Sequence, residues 1–134
     1  MMARRGERIA AAARQLVGVP FRLHGRSAEA GVDCVGLVLL AMAAAGRLRA
    51  EPGRYGLRGG DAETFAGWMK AAGLRRVRKG RPGDLMLVRP GPAQFHLMIC
   101  VEGGTVHAHA GLRRVVEMPG APPWPIIGRW RDGR

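Results

Sequence analysis

Apolar positions in the first part of the chain recur with the period of a helix. In residues 7–17 they lie three or four positions apart, which predicts an amphipathic first helix. A nearly continuous apolar segment then runs from Cys34 to Ala45. Asp33 before it is a good N-cap and Gly46 after it is a good C-cap. The pattern predicts a buried second helix, with Cys34 in its first turn.

Two segments without periodicity separate the predicted helices. Residues 18–31 have the glycines and the proline of a loop, and residues 47–60 form a connector rich in glycine and arginine. After the connector, Asp61 is expected to cap a third helix over residues 62–72, whose large apolar side chains share one face. The first half of the chain is therefore predicted to be helical.

From residue 74 onward short apolar runs alternate with turn residues, which predicts strands. The turn at 102–104 (EGG) predicts a hairpin, and the proline-rich segment 121–125 is expected to lead to a last edge strand. Helices followed by antiparallel strands indicate an α+β fold, and residues 1–134 are expected to form a single domain. The predicted strands cover residues 74–78, 84–89, 95–102, 105–110, 113–118 and 126–131.

The chain is strongly basic, with 22 Lys and Arg against 10 Asp and Glu and a net charge of +12. This charge favours anionic partners, but the basic residues are scattered and aromatic residues make up only 5%, so specific nucleic-acid binding is not expected. No apolar run approaches the ~20 residues of a membrane span, so no membrane insertion is expected. Arg14 and Gln15 interrupt the apolar N-terminal stretch, so we expect a helix there and synthesis in the cytoplasm without a signal peptide.

The two cysteines are too few and too far apart in sequence to indicate a disulfide framework. A catalytic thiol has to lie at the surface with a lowered pKa, because an unperturbed cysteine is only about 3% thiolate at pH 7. The N-terminus of a helix and a neighbouring imidazolium would both lower the pKa of Cys34. The Asp33 carboxylate would raise it, and is therefore expected to point back onto the helix amides. Cys100 is expected to be a buried, inert thiol.

Candidate bases are His24, His96, His107 and His109. The predicted hairpin brings His96 near the next strand, where strand alternation puts His107 and His109 on one face without choosing between them. Packing of the second helix on this sheet would complete a Cys–His–His row, in which the third residue orients the second. Two alternatives stay open. His107 and His109 could bind zinc with Cys34 or His96, or the cysteine and histidines could be purely structural.

Four segments, in order, resemble the signature of the NlpC-type cell-wall peptidases. Residues 18–21 (GVPF), Gly25 and residues 31–37 (GVDCVGL) resemble the pattern G-x-P-Y…G…G-x-D-C-S-G-L. The segments that resemble the P-G-D-L turn, the H-V-G-I-Y strand and the I-H-A segment of the family are residues 81–85 (RPGDL), 95–100 (FHLMIC) and 106–108 (VHA). Order and spacing match over about residues 8–117.

The resemblance implies a papain-like α+β fold, with N-terminal helices packed on an antiparallel sheet of about five to six strands. It implies hydrolysis of the stem peptide of bacterial peptidoglycan, usually between D-glutamate and a diamino acid. The roles that it implies are nucleophile for Cys34, base for His96 and orienting residue for His107. It implies no cofactor and no metal.

The chain departs from the family pattern at four positions. Phe21 stands where the family has tyrosine, His24 where it has glycine, Val35 where it has serine, and Cys100 where it has tyrosine. The first two departures affect the expected mouth of the site. We expect substrate contacts from Phe21, His24, Asp33 and His109.

The chain also resembles the members of this family that are encoded among phage-tail and gene-transfer-agent genes. The resemblance implies tail-tip proteins as partners, with a particle carrying the peptidase to the periplasm or cell wall. Surfaces expected to dock are the connector 47–60, with Arg47, Arg49, Arg54 and Arg58, and a C-terminal stretch with Trp124, Arg129 and Trp130. The alternatives are a weak or inactive structural tail-tip protein and a cysteine amidase or acyltransferase on another substrate.

Overall fold

The computed structural model describes residues 4–46 and 62–132. Three helices lie within these ranges: α1 (Arg5–Gln15), α2 (Cys34–Ala44) and α3 (Ala62–Ala71). Each begins and ends within two residues of its predicted bounds. No helix in the described ranges is long and apolar enough to cross a membrane. The eight strands are β1 (Arg26–Ser27), β2 (Gly31–Val32), β3 (Leu74–Val77), β4 (Leu85–Val88), β5 (His96–Val101), β6 (Gly104–His109), β7 (Arg114–Pro119) and β8 (Ile126–Asp132).

Six of the strands form one antiparallel sheet in the order β3-β8-β4-β5-β6-β7. The predicted α+β class is confirmed. The prediction that the last strand is an edge strand is wrong, because β8 pairs with β3 on one side and with β4 on the other. The proline-rich segment 121–125 thus returns the chain to the middle of the sheet, and β3 and β7 form its edges.

The sheet is covered on both faces. Helices α1 and α2 pack on one face, where Leu97, Ile99 and Val106 are fully buried in the main core. The opposite face holds a smaller apolar cluster in which Met98 and Cys100 are buried. Because side chains alternate along a strand, His96 lies on the same face as this smaller cluster.

The predicted loop 18–31 contains a short antiparallel hairpin, β1–β2, that the sequence pattern did not reveal. Two residues per strand are too few to show alternation. The predicted connector 47–60 and the predicted cap Asp61 lie outside the described residues. Gly46 has φ 84, the left-handed conformation expected of a residue that ends a helix.

Candidate active site

Asp33 fixes the start of α2. Its Oδ1 accepts a hydrogen bond from the backbone N–H of Gly36 at 2.8 Å, which confirms the predicted N-cap. Its Oδ2 accepts from the backbone N–H of His24 at 2.8 Å, and Arg26 donates to Oδ1 at 3.1 Å. The carboxylate is fully buried, so it ties the loop before α2 to the first turn of the helix. That Asp33 also contacts substrate stays a prediction.

Two glycines allow this loop and α2 to approach closely. A Cβ at Gly36 would lie 2.1 Å from the carbonyl oxygen of Gly25, and a Cβ at Gly25 would lie 2.2 Å from that of Gly31. Neither position has room for a side chain. The glycines of the sequence motif therefore set how Cys34, two residues before Gly36, is held against the sheet.

Cys34 is fully buried at the N-terminus of α2. Burial raises the pKa of its thiol to about 12, the nearby backbone N–H of Leu97 opposes this rise, and the Asp33 carboxylate adds to it. The prediction of a surface thiol with a lowered pKa is wrong for this structure. The helix end favours a thiolate by only ~0.3–1 kcal/mol, which does not offset removal of the charge from water.

His96 and His107 lie side by side, as predicted from the hairpin. Nε2 of His96 is 2.8 Å from Nδ1 of His107, within hydrogen-bonding distance, and the two rings meet edge to face with centroids 5.0 Å apart. Leu97, the residue that follows His96, is the one whose backbone N–H lies by the Cys34 thiol. The structure therefore brings the N-terminus of α2 to the strand end at which this histidine pair lies.

Both histidines of the pair are neutral at pH 7. Burial lowers the pKa of His96 to about 3, and the neighbouring His107 and His109 lower it further. Burial also lowers the pKa of His107 to about 4, again with a contribution from His109. When His96 donates its Nε2–H to His107, its Nδ1 is left as a proton acceptor. In that tautomer the second ring nitrogen of His107 carries a proton, and this buried nitrogen has no hydrogen-bond partner in the described part of the chain.

The hydrogen bonds separate His109 from His107, which strand alternation had left equivalent. Nδ1 of His109 accepts from the backbone N–H of Leu112 at 3.0 Å, so this side chain fixes the turn after β6. Its ring lies 5.4 Å from that of His107 and is partly exposed. Among residues 4–46 and 62–132, no three His, Cys, Asp or Glu side chains are placed to hold a metal ion. The zinc alternative therefore has no ligand set in these ranges.

Trp124 covers the histidine pair, a position that the sequence analysis missed. Its ring lies edge-on to those of His96 and His107, with centroids 6.3 and 5.9 Å away. The only sequence signal was a tryptophan between two prolines. The expectation that Trp130 anchors a partner is wrong, because this side chain is only 3% exposed and packs in the main core. Arg129, from the same expected surface, donates to the carbonyl of Arg78 at 3.1 Å.

The remaining predicted residues lie around the loop before α2 or on the sheet. Phe21 is partly buried against the core, and its backbone N–H donates to the carbonyl of Arg113 at 2.9 Å. His24 is exposed with φ 61, a conformation that the hydrogen bond to Asp33 helps to hold. Cys100 is buried, as predicted, and burial raises the pKa of its thiol to about 11. Substrate contacts of Phe21, His24 and His109 stay predictions.

No protein-family model and no curated protein sequence matches the chain, but several solved structures do. NlpC1 from Trichomonas vaginalis superposes with a TM-score of 0.73 at 20% identity, over 98% of this chain and 46% of that one. The peptidoglycan hydrolase RipB from Mycobacterium tuberculosis superposes with a TM-score of 0.62 at 23% identity, over 94% of this chain and 63% of that one. This chain thus spans about half the length of NlpC1.

A third solved structure matches along its whole length. RipD from Mycobacterium tuberculosis, described as a non-catalytic NlpC/p60 domain protein adapted to peptidoglycan binding, superposes with a TM-score of 0.66 at 19% identity, over 99% of this chain and 100% of that one. Structures of a hydrolase and of a non-catalytic binding protein are thus both similar to this chain. What the two share is the fold, and the chain has the papain-like α+β fold of NlpC/p60 domains.

Proposed function

We propose that this chain is a cysteine peptidase that hydrolyses amide bonds in the stem peptides of peptidoglycan. The observation that carries the proposal is the 2.8 Å contact between His96 and His107, at the start of the strand whose Leu97 N–H lies by the Cys34 thiol. The likeness to the peptidoglycan hydrolase RipB supports the substrate class. Cys34 is the proposed nucleophile, His96 the base and His107 the residue that orients it.

The reaction starts from a neutral thiol and a neutral imidazole. As Sγ of Cys34 bonds to the carbonyl carbon, its proton moves to Nδ1 of His96, and the carbonyl π electrons move onto oxygen. The backbone N–H of Cys34 stabilises that oxyanion. The C–N bond then breaks, and the leaving amine takes the proton from His96. Water then gives a proton to His96 as its oxygen bonds to the thioester carbon, the C–S bond breaks, and His96 returns the proton to Sγ of Cys34.

Burial affects both partners of the proton transfer. The thiol with a pKa of about 12 and the imidazole with a pKa of about 3 each resist ionising alone. Transfer of one proton between them creates opposite charges side by side, and their attraction offsets part of the desolvation cost. In the proposed mechanism, His107 accepts the Nε2–H of His96, which fixes the tautomer and leaves Nδ1 free to accept the thiol proton. Because Cys34 is fully buried, the peptide reaches the thiol only after neighbouring groups move.

The test is hydrolysis of a purified stem peptide containing D-glutamate and a diamino acid, with product masses read by mass spectrometry. Wild-type protein should release two fragments that identify the cleaved bond. Cys34→Ser should lower the rate by about 10³-fold or more, because an alcohol beside a neutral imidazole is a far weaker nucleophile than a thiol. Cys100→Ser provides the matched control and should keep most of the activity. Cleavage by Cys34→Ala at the wild-type rate would overturn the proposal.

A second candidate is peptidoglycan binding without catalysis. The observation that favours it is the complete burial of Cys34, together with the likeness to the non-catalytic RipD. This candidate predicts that wild-type protein and Cys34→Ala bind purified peptidoglycan equally and that no fragment is released. The amidase or acyltransferase alternative predicts transfer or hydrolysis of another acyl group by the same thiol, and product masses separate it from stem-peptide cleavage.

We also propose that a phage-tail or gene-transfer-agent particle carries the protein to the periplasm or cell wall. The support is the resemblance to members encoded among such genes, and the proposed partners are tail-tip proteins. The connector arginines Arg47, Arg49, Arg54 and Arg58 lie outside the described residues. Replacing them with glutamine should release the protein from purified particles while stem-peptide hydrolysis continues. Absence of the wild-type protein from every particle fraction would contradict the delivery proposal and leave the peptidase proposal standing.

A further inference from the structure

A cavity of about 990 Å³ opens between the start of α1, the turn before β4 and the end of β8. Seven arginines and four acidic residues line it, an excess of three positive charges. We call it the arginine cavity; it is lined by Arg4, Arg5, Arg8, Arg14, Arg75, Arg81 and Arg131, with Glu7, Asp84, Glu102 and Asp132. The proposed peptidase uses none of these residues.

The arginine cavity lies at the opposite end of the sheet from the histidine pair. Strand β4 pairs with β5 so that Val88 faces His96 and Leu85 faces Ile99. Asp84 and Glu102, which line the cavity, continue these two strands away from His96. Glu102, just beyond the end of β5, is six positions after His96, a span of ~20 Å at ~3.3 Å per residue. A ligand in the cavity is therefore remote from the proposed nucleophile.

Buried aspartates hold two of the arginines in fixed positions. Asp84 accepts two hydrogen bonds from Arg131, both 2.8 Å long, and this contact raises the pKa of the guanidinium. Asp132 accepts one from Arg5 at 3.2 Å. Both carboxylates are nearly inaccessible to solvent. Two walls of the cavity thus present guanidinium groups whose orientation is set before any ligand arrives.

The backbone around the cavity is equally constrained. A Cβ at Gly6 would lie 2.7 Å from the carbonyl oxygen of Pro82, and a Cβ at Gly83 would lie 2.1 Å from that of Gly6. The first turn of α1 therefore touches the turn before β4, and neither can move independently. Two backbone segments that line the arginine cavity are therefore fixed against each other by the fold.

Within the described residues, one buried donor of the cavity lacks an acceptor and three exposed arginines lack a carboxylate partner. Nε of Arg5 is completely buried and has no hydrogen-bond partner among the described residues. In the same ranges, no carboxylate pairs with Arg4, Arg75 or Arg81. A buried cationic N–H without an acceptor is costly, so an acceptor supplied by a ligand would stabilise this arrangement. Three guanidinium groups without a carboxylate partner in these ranges, together with the buried Nε of Arg5, favour a ligand with several anionic oxygens.

We propose that the arginine cavity binds a phosphate-bearing anion, in the form of an oligophosphate or a phosphodiester segment. Guanidinium groups donate two parallel hydrogen bonds to phosphate oxygens, and a phosphate offers more acceptors than a carboxylate. The volume suits such a group, since small-molecule sites measure roughly 300–1,000 Å³. This site is separate from the proposed peptidase and does not depend on it.

The test is calorimetric titration of the full chain with inorganic tripolyphosphate at low salt. Replacing Arg75 and Arg81 with glutamine leaves both buried aspartate contacts in place and should weaken binding by about tenfold or more. The control replaces Arg113 and Arg114, an equal charge outside the cavity, and should change the affinity by less than about twofold. Circular dichroism spectra of both variants check that the fold is retained. No binding to wild-type protein, or an equal loss in the two variants, would overturn the proposal.

A second titration identifies where the phosphate comes from. Vesicles containing phosphatidylglycerol are offered to wild-type protein with and without tripolyphosphate as competitor. Vesicle binding that tripolyphosphate displaces, and that the Arg75/Arg81 variant loses, would assign the phosphate to a lipid headgroup. Tripolyphosphate binding without vesicle binding would assign it to a soluble anion. Either result requires the same arginines.

Discussion

The two ends of the six-stranded sheet hold polar side chains in opposite ways. At the end with the histidine pair, His107 and Cys34 are buried and His96 is partly buried, and desolvation shifts the pKa of each so that the neutral form is favoured. At the other end, buried carboxylates orient the guanidinium groups of Arg5 and Arg131. A buried group without an oppositely charged partner is neutral, whereas a buried carboxylate that is paired with a guanidinium can stay ionised. The first arrangement suits proton transfer, and the second suits recognition of a fixed anion.

Removing the base should have the largest effect at the histidine end. His96→Ala should lower stem-peptide hydrolysis by about 10³-fold or more, because a positioned general base contributes about 10²–10⁴ in rate. His107→Ala should leave measurable activity, since His107 orients the base without touching the substrate. His109→Ala should have the smallest effect of the three. Initial rates at saturating peptide check this order, and equal losses in all three variants would contradict the roles assigned here.

The second prediction concerns the carboxylate that positions the nucleophile. Asp33→Ala should lower the free energy of unfolding by about 3 kcal/mol, because the Gly36 and His24 amides lose this acceptor and the Arg26 guanidinium loses one of its acceptors. Glu29→Ala removes an exposed carboxylate from the same loop and should change stability by less than about 0.5 kcal/mol. Urea unfolding measures both. Equal stability of the two variants would show that Asp33 does not hold the loop to α2.

Trp124 tests whether shielding from water matters at the histidine end. Trp124→Ala should expose the rings of His96 and His107 and lower hydrolysis by about tenfold, because water then competes for the hydrogen bond between them and the base is oriented less well. Trp124→Phe keeps an aromatic edge over the pair and should recover most of the rate. Trp68→Ala, a partly buried tryptophan on α3, controls for a general loss of packing. If Trp124→Ala hydrolyses the peptide at the wild-type rate, Trp124 does not act by shielding the histidine pair from water.

A smaller effect is expected in the dependence of stability on pH. Histidine has a pKa of about 6.5 when unfolded, while burial lowers those of His96 and His107 to about 3 and about 4. Between these values the unfolded chain binds more protons than the folded one, so the free energy of unfolding falls as the pH decreases. A His96→Gln variant, compared with its own stability at about pH 8, should lose less stability on acidification. Urea unfolding midpoints measure this loss. An equal loss of stability on acidification in wild-type protein and in His96→Gln would contradict the lowered pKa of His96.

The sequence predicted the helices and most strands well, because periodicity and caps are local properties. Asp33 and Gly46 mark the two ends of α2, and each acts on residues close to it in the sequence. The position of β8 between β3 and β4 depends on pairing over long sequence distances, which alternation does not encode. The burial of Cys34 and the contact of Trp124 with the histidines likewise arise only when distant segments pack together. Alternation placed His107 and His109 on one face without choosing between them, and in the structure their different hydrogen bonds, to His96 and to the Leu112 amide, distinguish them.

In the proposed mechanism Cys34 is the nucleophile and His96 removes its proton. The acyl-enzyme can be trapped by acid-quenching the protein within its first turnovers on the stem peptide and mapping the added mass by tandem mass spectrometry. We expect a thioester on Cys34, none on Cys100, and none in His96→Ala over the same interval. An acyl group on Cys100, or complete absence of an adduct while peptide is cleaved, would contradict this mechanism.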